Sequence, residues 1–199
     1  DYVLGQATFR DSGTSDASAT SLSEPVGLAL DVVDGVSNRL FVVDALYHRV
    51  MVFDFQNGAP LSNNRAADYV IGQGDFTTGT PGRSWGSFTD PAGIDYDMDN
   101  NRLYVADNGN HRVMVFDLTV PPTGINAFTA LGGVTDMISY GTTTCDQYSI
   151  ESPWDVDVDE NLDLVYVSSK TQNRVLMYDY AQGGDKAYQA VGSTTSGIE

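Results

Sequence analysis

The sequence predicts an all-β chain built from three copies of one sheet-forming unit. The first observation is a repeat, because a proline and an arginine each recur about every 62 to 66 residues. The second is composition: most of the 27 acidic residues are Asp, which favours turns and strand ends over helices. The third is the absence of any convincing 3.6-residue apolar period. The repeated landmarks are Pro25, Pro91 and Pro153, followed by Arg49, Arg112 and Arg174.

Each copy reads as four short strands. A proline starts the first strand, where a missing N–H does least harm. The second and third strands are continuously apolar, as in residues 50–53 and 113–116, so the sheet must be covered on both faces. A small four-stranded sheet covered by copies of itself is a propeller blade. The predicted blades span residues 25–76, 91–134 and 153–192, with residues 1–9 as a surplus copy of the outer strand.

Long polar loops connect the blades. Each loop carries one large apolar residue three positions before the proline, namely Leu22, Phe88 or Ile150. We expect these residues to anchor the loops to the sheets.

Length and charge limit the possible partners. The 199 residues form one predicted propeller segment, and no apolar run approaches the length of a membrane-spanning helix. The net charge of −17 argues against nucleic acid and against anionic membranes as partners. Cys145 is the single cysteine, so an internal disulfide is excluded. Few lysines and abundant Asp, Thr, Gly and Tyr predict an extracellular or cell-surface location.

The second copy carries a recognisable motif. Residues 103–117 read Leu-Tyr-Val-Ala-Asp-x-x-Asn-His-Arg-Val-x-Val-Phe-Asp, which resembles the NHL repeat. The third copy departs from it, with Ser169 in place of the aspartate and Asn173 in place of the histidine. The resemblance implies a β-propeller, usually of six blades, so three blades would make half of a ring. It implies no single activity, because NHL propellers bind RNA or proteins and one branch is a metal-dependent lyase.

Charged pairs flank the turn between the second and third strands. We expect these pairs to tie the turn or to link neighbouring blades through charge-assisted hydrogen bonds, with ligand binding as the alternative. They are Asp44 with Arg49, Asp107 with Arg112, and Arg174, for which Ser169 stands at the position of the aspartate.

The same end of each blade collects polar and aromatic residues. In an up-and-down blade, this turn and the connection to the next blade lie together, which predicts a partner-binding end. An exposed Trp85 would anchor a protein or glycan there, or the ring folds back on its own loop. The predicted binding residues are Tyr47, His48, Trp85, Asn108, Asn110, His111 and Gln172.

Metal and enzyme chemistry have weak support. Asp95 and Asp155 lie on predicted innermost strands, where carboxylates bind a calcium or other cation or stay solvated. No other cofactor is indicated. The chain has two histidines, and zinc lyase or hydrolytic sites typically need three protein ligands. No catalytic arrangement can be assembled with any specificity, so enzyme activity rests on fold analogy.

Strand counting leads to the predicted function. Three blades need twelve strands and the sequence supplies thirteen, so Tyr2, Val3, Leu4 and Phe9 are expected to pair with another subunit. The sequence thus predicts a secreted structural, protein-binding module that self-assembles through blade edges, as an open polymer such as an extracellular filament or as a two-chain ring. The alternatives are a piece of a complete six-bladed propeller that binds a protein, glycan or small ligand, and a metal-dependent lyase.

Overall fold

The computed structural model describes residues 1–13, 15–33, 35–56, 58, 60–119, 122, 124–132, 149–179 and 189–191. These residues form twelve β-strands and two three-residue 3-10 helices, with no α-helix among them. Within the same ranges, no helix is long and apolar enough to span a membrane. Cys145 lies outside the described residues. The strands are β1 (Pro25–Val33), β2 (Val36–Asp44), β3 (Arg49–Asp54), β4 (Tyr69–Ile71), β5 (Pro91–Asp97), β6 (Arg102–Asp107), β7 (Arg112–Asp117), β8 (Thr129–Leu131), β9 (Pro153–Asp159), β10 (Leu164–Ser169), β11 (Arg174–Asp179) and β12 (Gln189–Val191).

The strands form three antiparallel sheets of four, each in sequence order. We call β1–β4 blade 1, β5–β8 blade 2 and β9–β12 blade 3. The all-β class and the three four-stranded sheets predicted from the sequence are confirmed. The first strands β1, β5 and β9 lie beside one another, so they are the inner strands.

Two apolar clusters join the blades. One packs blade 1 against blade 2 through Phe41, Val43, Ile94 and Leu103, among others. The second packs blade 2 against blade 3 and includes Tyr104. Blade 2 contributes to both clusters, and β7 is buried from Arg112 to Phe116, as β3 of blade 1 is from Arg49 to Phe53.

The loop anchors close each connection between blades. Phe88 and Ile150 are completely buried and lie against Gly72 and Gly132, whose φ angles are +91° and +112°. A side chain at either glycine would be strained and would crowd the anchor. The connection before blade 1 has the same arrangement, with Leu22 against a glycine of φ +80° at Gly5.

The predicted outer strand at the N-terminus is not formed within this chain, and its pairing with another subunit stays a prediction. Residues 2–9 form bends and a turn, and Tyr2 and Phe9 are exposed. Leu4 packs against the side of blade 1 that faces away from blade 2, and Asn64 N–H donates to the Val3 carbonyl. The physical reason is the lack of a partner edge. The matching segment β4 is a strand because it pairs with β3, and no strand of the described residues pairs with residues 2–4.

Candidate functional site

The turn between β2 and β3 holds a buried ion pair. Arg49 Nε donates to Asp44 Oδ2 at 2.9 Å, and neither side chain is exposed. The guanidinium also donates to the carbonyls of Phe76 and Ser21, at 2.7 and 2.9 Å. Asp44 Oδ1 accepts the N–H of Ser23. The pair therefore ties the turn to the loop that leads into its own blade.

Blade 2 repeats the pair, and blade 3 changes it. Arg112 Nε donates to Asp107 Oδ2 at 2.7 Å. Burial raises the pKa of Asp107 to about 6, against the opposing effect of the Arg112 charge. In blade 3, Arg174 Nε donates instead to the Gln172 side-chain oxygen at 3.0 Å, and Arg174 also donates to the Ser149 carbonyl. These arginines fix loops within the chain.

The two histidines join one blade to the next. His48 Nδ1 accepts the N–H of Asp90 at 3.1 Å, and His111 Nδ1 accepts the N–H of Ser152 at 3.0 Å. Both histidines adopt the left-handed conformation, with φ of 50° and 57°. Nδ1 of each ring is therefore occupied by a backbone donor. Among the described residues, no group of three or more His, Cys, Asp or Glu side chains is placed to hold a metal ion.

Most of the other predicted binding residues use their polar groups inside the chain. Asn108 donates to the Pro153 carbonyl, and the buried Asn110 donates to Gly82 and Asp107. The Tyr47 hydroxyl donates to the Ser15 carbonyl. Trp85 is 39% exposed, so its ring is the most available of the predicted set. A partner-binding role for these residues stays a prediction.

The two predicted cation ligands differ in surroundings. Asp95 Oδ2 accepts the N–H of Val158 in the next blade at 2.8 Å, and its other oxygen accepts the N–H of Tyr96. Burial raises the pKa of Asp95. Asp155 is exposed, and one of its oxygens accepts the N–H of Val156. A cation at these carboxylates stays a prediction.

The three inner strands surround a cleft of about 630 Å³, the inner cleft. Its lining includes Glu24, Leu28, Asp90, Trp154 and Asp155. Trp154 was missed by the sequence analysis. The sequence feature that could have identified Trp154 is its position directly after Pro153, because the other two copies have a smaller aliphatic residue after the corresponding proline. The Lys170 ammonium lies 3.9 Å from the centre of the Trp154 ring, a cation–π contact.

The open face of blade 1 is an exposed apolar surface on an inner strand. We define it by Val26, Leu28 and Leu30, which are 51%, 68% and 49% exposed. In blade 2, the residues at the positions of Leu28 and Leu30 are Ile94 and Tyr96, which are only 6% and 7% exposed because blade 1 covers them. Single exposed aliphatic residues are common, but three along one strand indicate a contact surface.

Comparison with known proteins supports the fold. The family model "NHL repeat" matches residues 88–116, the centre of blade 2. NHL repeat-containing protein 2 of Bos taurus is 36% identical over 129 residues, and that of Homo sapiens is 33% identical over the same length. Each match covers 62% of this chain and 15% of the relative, so the chain spans a small part of the curated relatives.

A solved structure extends the likeness over the whole fold. The hydrazine synthase of Kuenenia stuttgartiensis aligns with a TM-score of 0.55 at 14% identity, over 96% of this chain and 40% of that one. At this identity the likeness concerns the fold alone. The resemblance to NHL-repeat β-propellers is therefore confirmed: the chain carries an NHL repeat at residues 88–116, in a propeller-type arrangement of four-stranded blades.

Proposed function

We propose that the chain is a structural, protein-binding propeller module that assembles through the open face of blade 1. The observation that carries this proposal is the contrast between Leu28, 68% exposed, and Ile94, 6% exposed, at one repeat position. A blade seated on Leu28 would bury it as blade 1 buries Ile94. Burying an exposed leucine side chain contributes about 1.5–3 kcal/mol.

The proposed partner is a second copy of the chain. Support comes from blade 3, because among the described residues no further blade lies on its side away from blade 2. There, Val175 is 37% exposed, and the other residues of β11 alternate between buried and more accessible positions. Within the described residues, the first and the last blade thus each have a neighbouring blade on one side only, as the predicted filament or two-chain ring requires. Secretion and an extracellular location remain predictions from composition.

Light scattering over a range of concentrations tests the proposal. We expect the molar mass of the wild type to rise above the 21.4 kDa of one chain, and Leu28→Glu to remain at that mass. The matched control is Leu46→Glu, since Leu46 is 52% exposed but lies in the turn after β2 rather than on a blade face. A wild type of 21.4 kDa at every concentration, or a Leu28→Glu variant that assembles normally, would overturn the proposal.

The N-terminal segment has a separate test. Leu4 occupies the repeat position of Ile71, which packs at the junction of blades 1 and 2, so residues 2–4 mark where the outer strand of a preceding blade would lie. Deleting residues 1–9 should change the assembled mass. An unchanged mass would remove Tyr2, Val3, Leu4 and Phe9 from the proposal.

The alternative partner is a blade supplied by a different polypeptide. The relatives favour this candidate, because they are much longer than the matched region. It predicts that the purified chain stays monomeric. It also predicts that a photo-crosslinker at position 28, and not one at position 46, captures a β-sheet segment of foreign sequence.

A further inference from the structure

The junction between blades 2 and 3 shows how one blade binds the next. Asp95 Oδ2 of blade 2 accepts the N–H of Val158 in blade 3 at 2.8 Å. At the end of the turn, Asn108 Nδ2 of blade 2 donates to the carbonyl of Pro153 at 3.0 Å. These two bonds fix the register of the inner strands.

Blade 3 carries equivalents of both groups at the same repeat positions. Asp157 holds the repeat position of Asp95, because each lies four residues after the proline that starts its blade. Lys170 follows Ser169 as Asn108 follows Asp107. Both Asp157 and Lys170 are exposed. Asp157 of blade 3 therefore offers a hydrogen-bond acceptor at the position of Asp95, and Lys170 offers a donor at the position of Asn108.

Blade 1 presents the complementary groups. Leu30 holds the position of Val158, in the same pairing register with its second strand. The residue before Leu30 is Ala29, which offers no carboxylate, whereas Tyr96 of blade 2 donates its N–H to the preceding Asp95. The Leu30 N–H thus suits an acceptor from another chain.

Charge also matches at the rim of this surface. Glu24 is exposed directly before Pro25, the residue that corresponds to Pro153. Asn108 binds the Pro153 carbonyl within the chain, and the corresponding carbonyl of blade 1 belongs to Pro25. A lysine at the position of Asn108 would therefore lie near the Glu24 carboxylate, which is next to Pro25. In a chain of net charge −17, an exposed lysine placed opposite a glutamate favours one orientation of two copies.

We infer that blade 3 of one copy binds the open face of blade 1 of a second copy, in the register of the internal junctions. Asp157 accepts the N–H of Leu30, and Lys170 pairs with Glu24. The inference rests on the proposed assembly and adds its orientation and its polar contacts. Lys170 leaves the Trp154 ring, or shares it, when the second copy binds.

One residue makes this junction looser than the internal ones. A Cβ on Gly27 would lie 2.6 Å from the Ala92 carbonyl oxygen, and a Cβ on Gly93 would lie 2.5 Å from the Asp155 Cα, so these glycines allow the next blade to approach. Asp155 holds that position in blade 3 and has a side chain. Asp155→Gly should therefore lower the concentration at half-assembly by about tenfold, since overpacked contacts of this kind cost 1–3 kcal/mol.

Two variants, each with one functional end, test the orientation. Leu28→Glu blocks blade 1 and leaves blade 3 intact. Asp157→Leu with Lys170→Glu blocks blade 3 and leaves blade 1 intact, and both positions are exposed, so folding is preserved. We expect each variant alone to stay at 21.4 kDa and the mixture to reach twice that mass and no more.

Each failure has a distinct signature. If the Asp157→Leu, Lys170→Glu variant forms dimers on its own, two blade 1 faces bind each other. If the same variant assembles like the wild type, the polar contacts are misassigned. Either result overturns the inference while the proposed assembly stands. A wild type that stays monomeric overturns the assembly itself. Adding Glu24→Lys to Lys170→Glu should restore assembly, and failure to restore it rules out that pair.

Discussion

Blade 2 and blade 1 have the same strand order but different neighbours. Blade 2 has a blade on each side, and Ile94 and Tyr96 of its inner strand are only 6% and 7% exposed because blade 1 covers them. Blade 1 is packed on one inner-strand side only, and Leu28 and Leu30 are exposed on the other. The repeat makes the two blades alike in strand order and turn chemistry. The difference therefore shows what a blade lacks when the described residues form no blade before it: an apolar cover over the inner strand.

The first residues of the blades differ in the same way. Asp90 and Ser152 have φ of 48° and 47°, and each donates its N–H to a histidine of the preceding blade. Glu24 starts blade 1 without such a histidine, and its N–H donates to Asp44 Oδ1 at 3.2 Å. The left-handed conformation at the blade start accompanies the contact with a preceding blade.

The largest expected effect comes from truncating one apolar position in two blades. Ile94→Ala should lower the free energy of unfolding by about 3 kcal/mol, because it leaves a cavity between blades 1 and 2. Leu28→Ala should change it by less than about 0.5 kcal/mol in dilute protein, since the side chain is largely in solvent. Urea unfolding at low concentration measures both. Equal losses would show that Leu28 is already covered.

Substituting Arg112 and Arg174 in turn compares a buried ion pair with a hydrogen bond to a neutral side chain. Arg112→Ala should cost about 2 kcal/mol, because Asp107 stays buried without its cation. Arg174→Ala should cost less, since its Nε donates to the neutral Gln172 where Arg112 Nε donates to the buried Asp107. Similar shifts in the urea midpoints of the two variants would contradict the roles assigned to these pairs.

The Arg112→Ala loss should also depend on pH. The folded pKa of Asp107, about 6, lies above the ordinary value of 3.8. A carboxyl with a raised folded pKa contributes stability below the unfolded pKa and loses it as the pH rises through the folded value. Without Arg112 the folded pKa rises further, so the variant should be closest to the wild type near pH 4 and furthest from it above pH 6. A loss that is constant with pH would contradict a buried Asp107.

The smallest effect isolates one hydrogen bond between blades. His111→Ala removes the acceptor for the Ser152 N–H, which should cost about 1 kcal/mol. Asn173→Ala is the matched control, because Asn173 has φ 52° at the same repeat position and is exposed. Both substitutions place alanine in a left-handed conformation, so the difference between their unfolding free energies reports the bond. No difference would show that the histidine bond contributes nothing.

Much of the fold could be predicted from the sequence because its signals are local. The prolines start the inner strands, the apolar runs form the middle strands, and the Asp–x–x–Asn–His–Arg turn is a motif of its own. The conformation of residues 2–9 could not be predicted. A nearly identical sequence forms a strand at residues 69–71 because β3 pairs with it there. The exposure of Leu28 could not be predicted either. Leu28 and Ile94 are both aliphatic residues at one repeat position, and only the neighbouring blade makes their exposure differ.

The backbone amide of Leu30 offers the most direct test of the central claim, that the open face of blade 1 is a blade junction without its second blade. Hydrogen exchange should show a Val158 amide that is protected at every protein concentration, because Asp95 binds it within the chain. The Leu30 amide should become protected only as concentration rises, and Asp157→Leu should abolish that protection. A Leu30 amide that exchanges at one rate across all concentrations would contradict the account.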